Sequence, residues 1–391
     1  LPVMRIGTLF ISLALFLNSH VLSADPVEDE SQISSIEKLG EALFFDVDLS
    51  QNRTQACATC HMPSAGFADM RANVVNGAVS LGDDGKSLGD RNAPTASYAR
   101  FSPLFHKNSE GQYVGGQFLD GREADLKGQA GGPPLNPIEM GMPDKPAVVA
   151  RLLEKPEYEK AFKQFYGEDI FVDVDKIYDA LTESIAAFEK TDQFAPFDSK
   201  YDRYLRGEYQ LTPQEDLGMT LFFSQQFTNC NLCHQLKRQP AAQQETFSNY
   251  QYHNIGVPVN SAVRAVNGVA ADYVDEGLLN NPQVDDVKER GKFKVPTLRN
   301  VAVTGPYMHN GVFSDLETVV LFYNKYNSRS AKRQINPETG EAWKAPEIAD
   351  NISLEELKTG PALDDKRVDA LVAFMRLLTD KKYEYLLDRG K

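Results

Sequence analysis

Three features of the 391-residue sequence predict a mostly α-helical chain built from two duplicated halves. The pattern C-x-x-C-H occurs twice, as Cys57-Ala58-Thr59-Cys60-His61 and as Cys230-Asn231-Leu232-Cys233-His234. An amphipathic helical pattern precedes each copy, with Leu39/Leu43 and Leu217/Leu221 spaced i, i+4. Further blocks then recur in the same order. Pro94-Thr95 is answered by Pro296-Thr297, and Asp120-Gly121 with Asp125-Leu126 by Asn310-Gly311 with Asp315-Leu316 at identical spacing. Short blocks match by chance, but a whole series kept in order points to duplication.

Composition bounds the function. Hydrophobic residues make up 42% and charged residues 25%, a globular balance with ample core. Lys+Arg 41 against Asp+Glu 55 leaves a net charge of −14, which counts against nucleic acid, whose phosphates need a basic face. The acidity reads as a solvated surface or as a docking face for a basic protein. Four cysteines in this length exclude a disulfide-dense scaffold. Residues 1–24 read as an export signal: Arg5, an apolar run Ile6–Leu17, and a small-residue cleavage site at Leu22-Ser23-Ala24. That run is shorter than the ~20 apolar residues of a membrane span, and nothing later approaches it. The mature protein is expected to begin near Asp25, to lack a membrane span, and to work in the periplasm. His20 leaves with the signal, and five histidines remain.

C-x-x-C-H is the attachment signature of c-type haem. The two thiols add to the two vinyl groups, and the following imidazole turns onto the iron. A single four-Cys zinc site is the first alternative, but it gives no reason for the trailing histidines His61 and His234. Structural disulfides or redox pairs are the second. Two covalent haems c are expected, on Cys57, Cys60 and His61 and on Cys230, Cys233 and His234. The mature chain then reads as two cytochrome-c-like domains, 25–205 and 206–391, divided near Tyr204 to Thr212, with haems facing across an interface.

Beyond the matched Asp-Leu pairs the halves diverge. Seven residues after Leu316 lies Tyr323, on a predicted helix Leu316–Tyr326, whereas seven residues after Leu126 lies Pro133, which ligates nothing. Superposed halves would give one closed haem and one open haem, hence electron transfer plus chemistry. The competing reading makes Tyr323 a core residue beside Phe322. Asn327 to Asn351 is polar and reads as a long loop. Val368 to Leu387 reads as a terminal helix against the second domain.

Several segments together carry a family resemblance: LFFD (Leu43–Asp46), RNAPT (Arg91–Thr95), QFLDGR (Gln117–Arg122), NPIEMGMP (Asn136–Pro143), VPTLRN (Val295–Asn300) and PYMHNG (Pro306–Gly311). With the two haem motifs, the run from Ile33 to Tyr326 resembles the bacterial di-haem cytochrome c peroxidases and their MauG relatives. The resemblance implies that Glu139 is the acid–base for peroxide cleavage and Gln129 the pocket amide. It makes Tyr323 the second iron ligand of the C-terminal haem, where ordinary peroxidases have Met. It also implies a Ca2+ held by the Asn92 side chain and the Thr304 and Pro306 carbonyls. Many members carry a blocking His soon after the first motif. None lies between His61 and His106 here, so the first haem is expected open. Leu119 replaces the Trp that many members place before Asp-Gly-Arg, and the sole Trp, Trp343, lies in the C-terminal polar segment. His106 is expected in a surface loop, His253 in the core or at a haem edge, and His309 near a haem without ligating it. The implied function is reduction of H2O2 at the N-terminal haem. Electrons pass through the C-terminal haem from a small cytochrome or cupredoxin, or from a side chain of a protein substrate. The alternative is a non-catalytic electron carrier or haem-based sensor, which suits two closed haems.

Overall fold

Gly40 and Gly218 set two helix crossings around which the chain is organised. The computed structural model describes residues 32–389, so the export signal and the start near Asp25 lie outside the described residues. Helix Ile36–Phe44 begins at Ser35, whose hydroxyl accepts the Lys38 N–H at 3.1 Å. It crosses Val174–Glu189. Helix Pro213–Phe223 begins with a capping box between Thr212 and Glu215 and crosses Asp365–Arg376. A Cβ on Gly40 would overlap the Ser184 carbonyl, and one on Gly218 would overlap the Ala370 carbonyl. Each glycine thus admits the facing backbone at the crossing. Beside the crossings Phe44 meets Phe188 at 5.3 Å and Phe222 meets Phe374 at 4.9 Å.

The two largest hydrophobic clusters follow this division. One runs from Leu39 to Phe194, and the other from Tyr201 to Leu378. Helix Lys200–Leu205 joins them, and its fully buried Tyr201 packs with the second cluster. The regular structure is mostly helical. The named strands of the described residues form two small antiparallel ribbons, His106–Lys107 with Tyr113–Val114 and Tyr252–His253 with Phe293–Lys294. No described helix is long and apolar enough to cross a membrane.

Contacts between the halves are polar and largely buried. Arg91 bridges Asp120 at 2.8 Å and Asp275 at 2.7 Å, and Arg264 reaches Asp90 at 2.6 Å. Tyr98 donates to one oxygen of the buried Asp380 carboxylate at 2.7 Å, and Asn300 donates to the other at 2.9 Å. Arg299 is fully buried, paired with Asp202 and surrounded by Tyr98, Phe197, Tyr201 and Phe247.

Two helix boundaries differ from the sequence reading. The terminal segment is a helix over Asp365–Arg376 followed by a separate 3-10 turn over Lys381–Leu386, instead of one helix Val368–Leu387. Asp380 causes the break, because its backbone N–H donates to Asn300 Oδ1 at 2.8 Å and its carboxylate is held by Tyr98 and Asn300. Tyr383 and Leu386 consequently pack against Val303. The helix after Asp315 ends at Asn324, two residues early, where the Asn324 side chain accepts from Leu363 N–H at 2.9 Å and donates to its carbonyl at 3.2 Å.

Candidate functional site

Cys230, Cys233, His234 and Tyr323 line one cavity of about 360 Å³ that reaches from the second half to first-half residues between Asn92 and Leu119, and apolar residues such as Leu298, Val320, Leu371 and Met375 wall it. His234 Nδ1 donates to the Phe247 carbonyl at 3.1 Å, which leaves Nε2 as the metal-facing nitrogen. Burial pushes this imidazole down to about 4, so the ring is neutral, the form that binds a metal. The Tyr323 hydroxyl has no hydrogen-bond partner among the described residues, and burial pushes it above the usual phenol range. A phenolate there needs a compensating cation. His253 Nε2 and Asn327 Oδ1 are buried polar atoms without partners, and both residues line the same cavity. Such orphans suit an occupant with polar groups of its own, and this donor set fits haem.

The helix that carries Tyr323 is fastened by the 327–351 segment. Glu338 accepts from the backbone N–H groups of Ser314 and Asp315 at 2.9 and 2.8 Å, which fixes the chain where it enters the helix, while the Asp315 side chain makes no capping bond. Trp343 packs edge-on against Phe313 and Phe322 at 5.7 and 5.6 Å, and its indole N–H donates to the Arg333 carbonyl. The polar composition of this segment concealed both contacts.

The first half holds its histidine in the same way, with His61 Nδ1 donating to the Phe67 carbonyl at 3.2 Å. The repeated Pro-Thr pairs position these carbonyls. Thr95 donates to the carbonyl of Gly66, and Thr297 donates to that of Thr246, each just before the accepting Phe. The His-to-Phe spacing is longer in the second half, so this part of the repeat was not legible in sequence. Cys60 receives Arg71 at 3.4 Å and Gln55 at 3.6 Å.

Here the segment after the matched Asp-Leu is different. Asp125 caps a helix of only five residues, Leu126–Ala130. Gly131-Gly132 and the turn Pro133–Leu135 end it, so Pro133 stands on a turn. Gln129 lies on the short helix, half-buried, with no side-chain hydrogen bond among the described residues. Glu139 lies on the following turn, where burial raises its carboxyl while Asn136 and Arg122 oppose the rise. The Glu139 carbonyl accepts from Asp83 N–H and the Met140 carbonyl from Gln51 N–H, each at 2.8 Å, which ties this turn to the segment that precedes Cys57.

Between the halves, Asn92, Thr304 and Pro306 all border the cavity. Asn92 Nδ2 donates to Ala78 O at 2.9 Å, which aims that amide and leaves Oδ1 as its free acceptor. No cluster of three or more His, Cys, Asp or Glu that could hold a metal occurs among the described residues, which removes the four-Cys zinc alternative. Leu119 borders the same cavity. His309 is stacked on Phe293 at 3.7 Å, and burial holds it neutral at about 4. His106 is exposed on its short strand, and His253 donates or accepts at Ser353 Oγ over 2.9 Å.

The family described as di-haem cytochrome c peroxidase matches residues 34–210. Methylamine utilization protein MauG of Paracoccus denitrificans (strain Pd 1222) is 53% identical, over 94% of this chain and 93% of that protein. Cytochrome c peroxidase Ccp of Escherichia coli (strain K12) is 34% identical over 74% of this chain and 52% of that protein. Among solved structures, the diheme peroxidase BthA from Burkholderia thailandensis E264 matches with a TM-score of 0.77 at 31% identity, covering 89% of this chain and 86% of that one. A MauG-like protein associated with microbial copper homeostasis matches with a TM-score of 0.63 at 28% identity, covering 92% of both chains. With this identity sustained over nearly the whole length and both C-x-x-C-H motifs in place, the chain belongs to the di-haem cytochrome c peroxidase/MauG family of haem c oxidoreductases.

Proposed function

We propose that this chain is a periplasmic MauG-like oxidase with two haem-bearing units, 25–205 and 206–391. It reduces H2O2 in the first half and draws electrons through the second. One observation carries the reading: the helix after Asp315 reaches Tyr323 on the cavity of Cys230, Cys233 and His234, whereas the helix after Asp125 stops before Pro133. The chemistry that bound haem c supplies is one-electron redox at an iron with or without an open position. Pro133 leaves peroxide room, and the Gln129 amide orients it. Glu139 takes the proton from the inner peroxide oxygen and returns it to the departing hydroxyl. Its raised carboxyl suits both roles. Two electrons and two protons convert H2O2 into two waters. The electrons come from a small cytochrome or cupredoxin, or from a side chain of a protein substrate. Similarity to a methylamine utilization protein supports a place in amine oxidation.

Tyr323 would hold the second iron through a hard anionic oxygen, which would favour its oxidised states. Ca2+ is assigned to Asn92 Oδ1 and the carbonyls of Thr304 and Pro306, a neutral oxygen set that water completes. Dialysis against a chelator is expected to shift the haem spectra without haem loss, and unchanged spectra in metal-free protein remove this site.

Cyanide titration of the oxidised holoprotein tests the main reading. One cyanide-binding haem fits the oxidase, and none fits a carrier or sensor. EPR and resonance Raman of Tyr323→Phe then identify the closed haem, which should lose its sixth ligand. Tyr323→Met should raise its potential. Unchanged axial signals at both haems in Tyr323→Phe remove Tyr323 from the iron.

A further inference from the structure

The first half buries a second carboxyl, Glu189, for which peroxide cleavage has no use. It ends helix Val174–Glu189 and is 5% exposed. Only burial and the adjacent Lys190 act on its carboxyl, and no hydrogen bond or ion pair among the described residues reaches it.

The repeat fixes the direction in which it faces. Ser184 and Phe188 meet Gly40 as Ala370 and Phe374 meet Gly218. One residue further along, Glu189 holds the place of Met375, and Ile185 holds that of Leu371. Leu371 and Met375 both line the cavity of Cys230 and His234. In the first half the same helix face carries Tyr178, Cys57 packs against the cluster that holds Tyr178 and Ile185, and the Glu189 charge acts on Cys57. The other titratable groups acting on Cys57 are Cys60 and Glu139. Both thiols stop titrating once bonded to haem. The helix crossing this one turns Leu39, Gly40, Leu43 and Phe44 inward and offers no charge, and the turn Asp192–Phe194 buries Phe194 while Asp192 is exposed.

We propose that Glu189 balances charge at the first haem: its carboxyl keeps its proton while that haem is reduced and releases it to water when an electron leaves. An unpaired buried carboxylate is costly, and burial alone pushes this group up to about 8. A positive charge arising at the edge of its pocket favours the ionised form, so electron loss and proton loss are linked. Met375 leaves the second haem without this device. The inference requires haem at Cys57 and does not depend on peroxide cleavage.

Spectroelectrochemical titration of the holoprotein between about pH 6 and about pH 9 tests the linkage. In the wild type the first-haem midpoint potential is expected to fall as pH rises. In Glu189→Gln and Glu189→Met it should be flat, with the second-haem profile unmoved. An unchanged first-haem slope in these variants overturns the proposal. Should they fail to retain haem, redox-difference infrared spectroscopy of the wild type decides. A protonated-carboxyl band lost on oxidation of the first haem supports Glu189, and no such band overturns it. Glu139→Gln is expected to keep the slope. If it abolishes the slope, the linked carboxyl is Glu139, and the proposal falls while the oxidase reading stands. If Glu139→Gln cleaves peroxide at the wild-type rate, the acid–base assignment falls and the Glu189 result stands.

Discussion

In the first half, the helix after Asp125 runs five residues before Gly131-Gly132-Pro133-Pro134 stops it; in the second, the helix after Asp315 runs nine and delivers Tyr323 to a cavity. Around these segments the two halves keep the same parts. Gly121 and Gly311 both have φ of +66°, and Phe118 and Met308 are held at +61° and +71° in a region that side chains disfavour. Gln117 pairs with Glu123 as Tyr307 pairs with Phe313. The frame repeats down to its strained residues, and the difference in proposed chemistry comes down to where one short helix stops. Two glycines and two prolines are sufficient cause for that stop, since both residue types disfavour a helix interior. In the second half Glu338 also holds the entry to the longer helix, and Trp343 packs against it.

The sharpest way to break the comparison is Glu139→Gln. If the halves divide chemistry from electron transfer, this variant should slow peroxide cleavage by roughly 10²–10⁴, the usual worth of an acid–base group. The absorption and EPR signals of the second haem should stay as in the wild type. Stopped-flow mixing with peroxide reads the rate. Wild-type reactivity would remove Glu139 from the mechanism and leave the difference between the halves resting on Tyr323 and Pro133.

The next largest effect tests whether the crossings are equivalent. Gly40→Ala and Gly218→Ala each force a Cβ into a facing carbonyl, so the backbones must separate. Overpacking of this kind costs about 1–3 kcal/mol, sometimes more, and the two variants should lose similar stability in denaturant melts. A large difference would mean that one crossing relaxes and the halves are not mechanically alike.

Both glycines sit in the matched helical blocks and were legible as part of a repeat, although the reason for them appears only where helices distant in sequence cross. The same split holds elsewhere. C-x-x-C-H and the Asp-Leu pairs are local patterns, and sequence shows them directly. The Phe67 and Phe247 carbonyls follow their histidines at different spacings, so alignment of the repeat hides them. Glu338 reaches the Asp315 helix across a polar segment with no periodicity to betray it. Val368–Leu387 kept a helical pattern on paper, but a buried carboxylate with partners in both halves outweighed propensity.

That carboxylate, Asp380, supports the smallest prediction and the most direct measure of how the halves are joined. Tyr98 and Asn300 occupy matching places three residues after Thr95 and Thr297, with φ of 59° and 62°, and each donates to a different oxygen of Asp380. Each bond to the charged group is worth about 1.5–3 kcal/mol at most, and removal of either donor leaves the other in place. Tyr98→Phe and Asn300→Ala should each cost about 1–2 kcal/mol in denaturant melts, and the double variant should depart from additivity because both act on one acceptor. Burial still dominates the carboxyl and raises it from 3.8 to about 6. A raised carboxyl stabilises the fold while protonated, so its contribution is complete below the unfolded value near 3.8 and is lost as pH rises through about 6. Asp380→Asn removes that titration. The gap in stability between wild type and Asp380→Asn should therefore shift against the wild type as pH is raised between those values and hold level above them. A gap that stays constant across the window would mean that Asp380 is ionised throughout, with its two donors fully offsetting its burial.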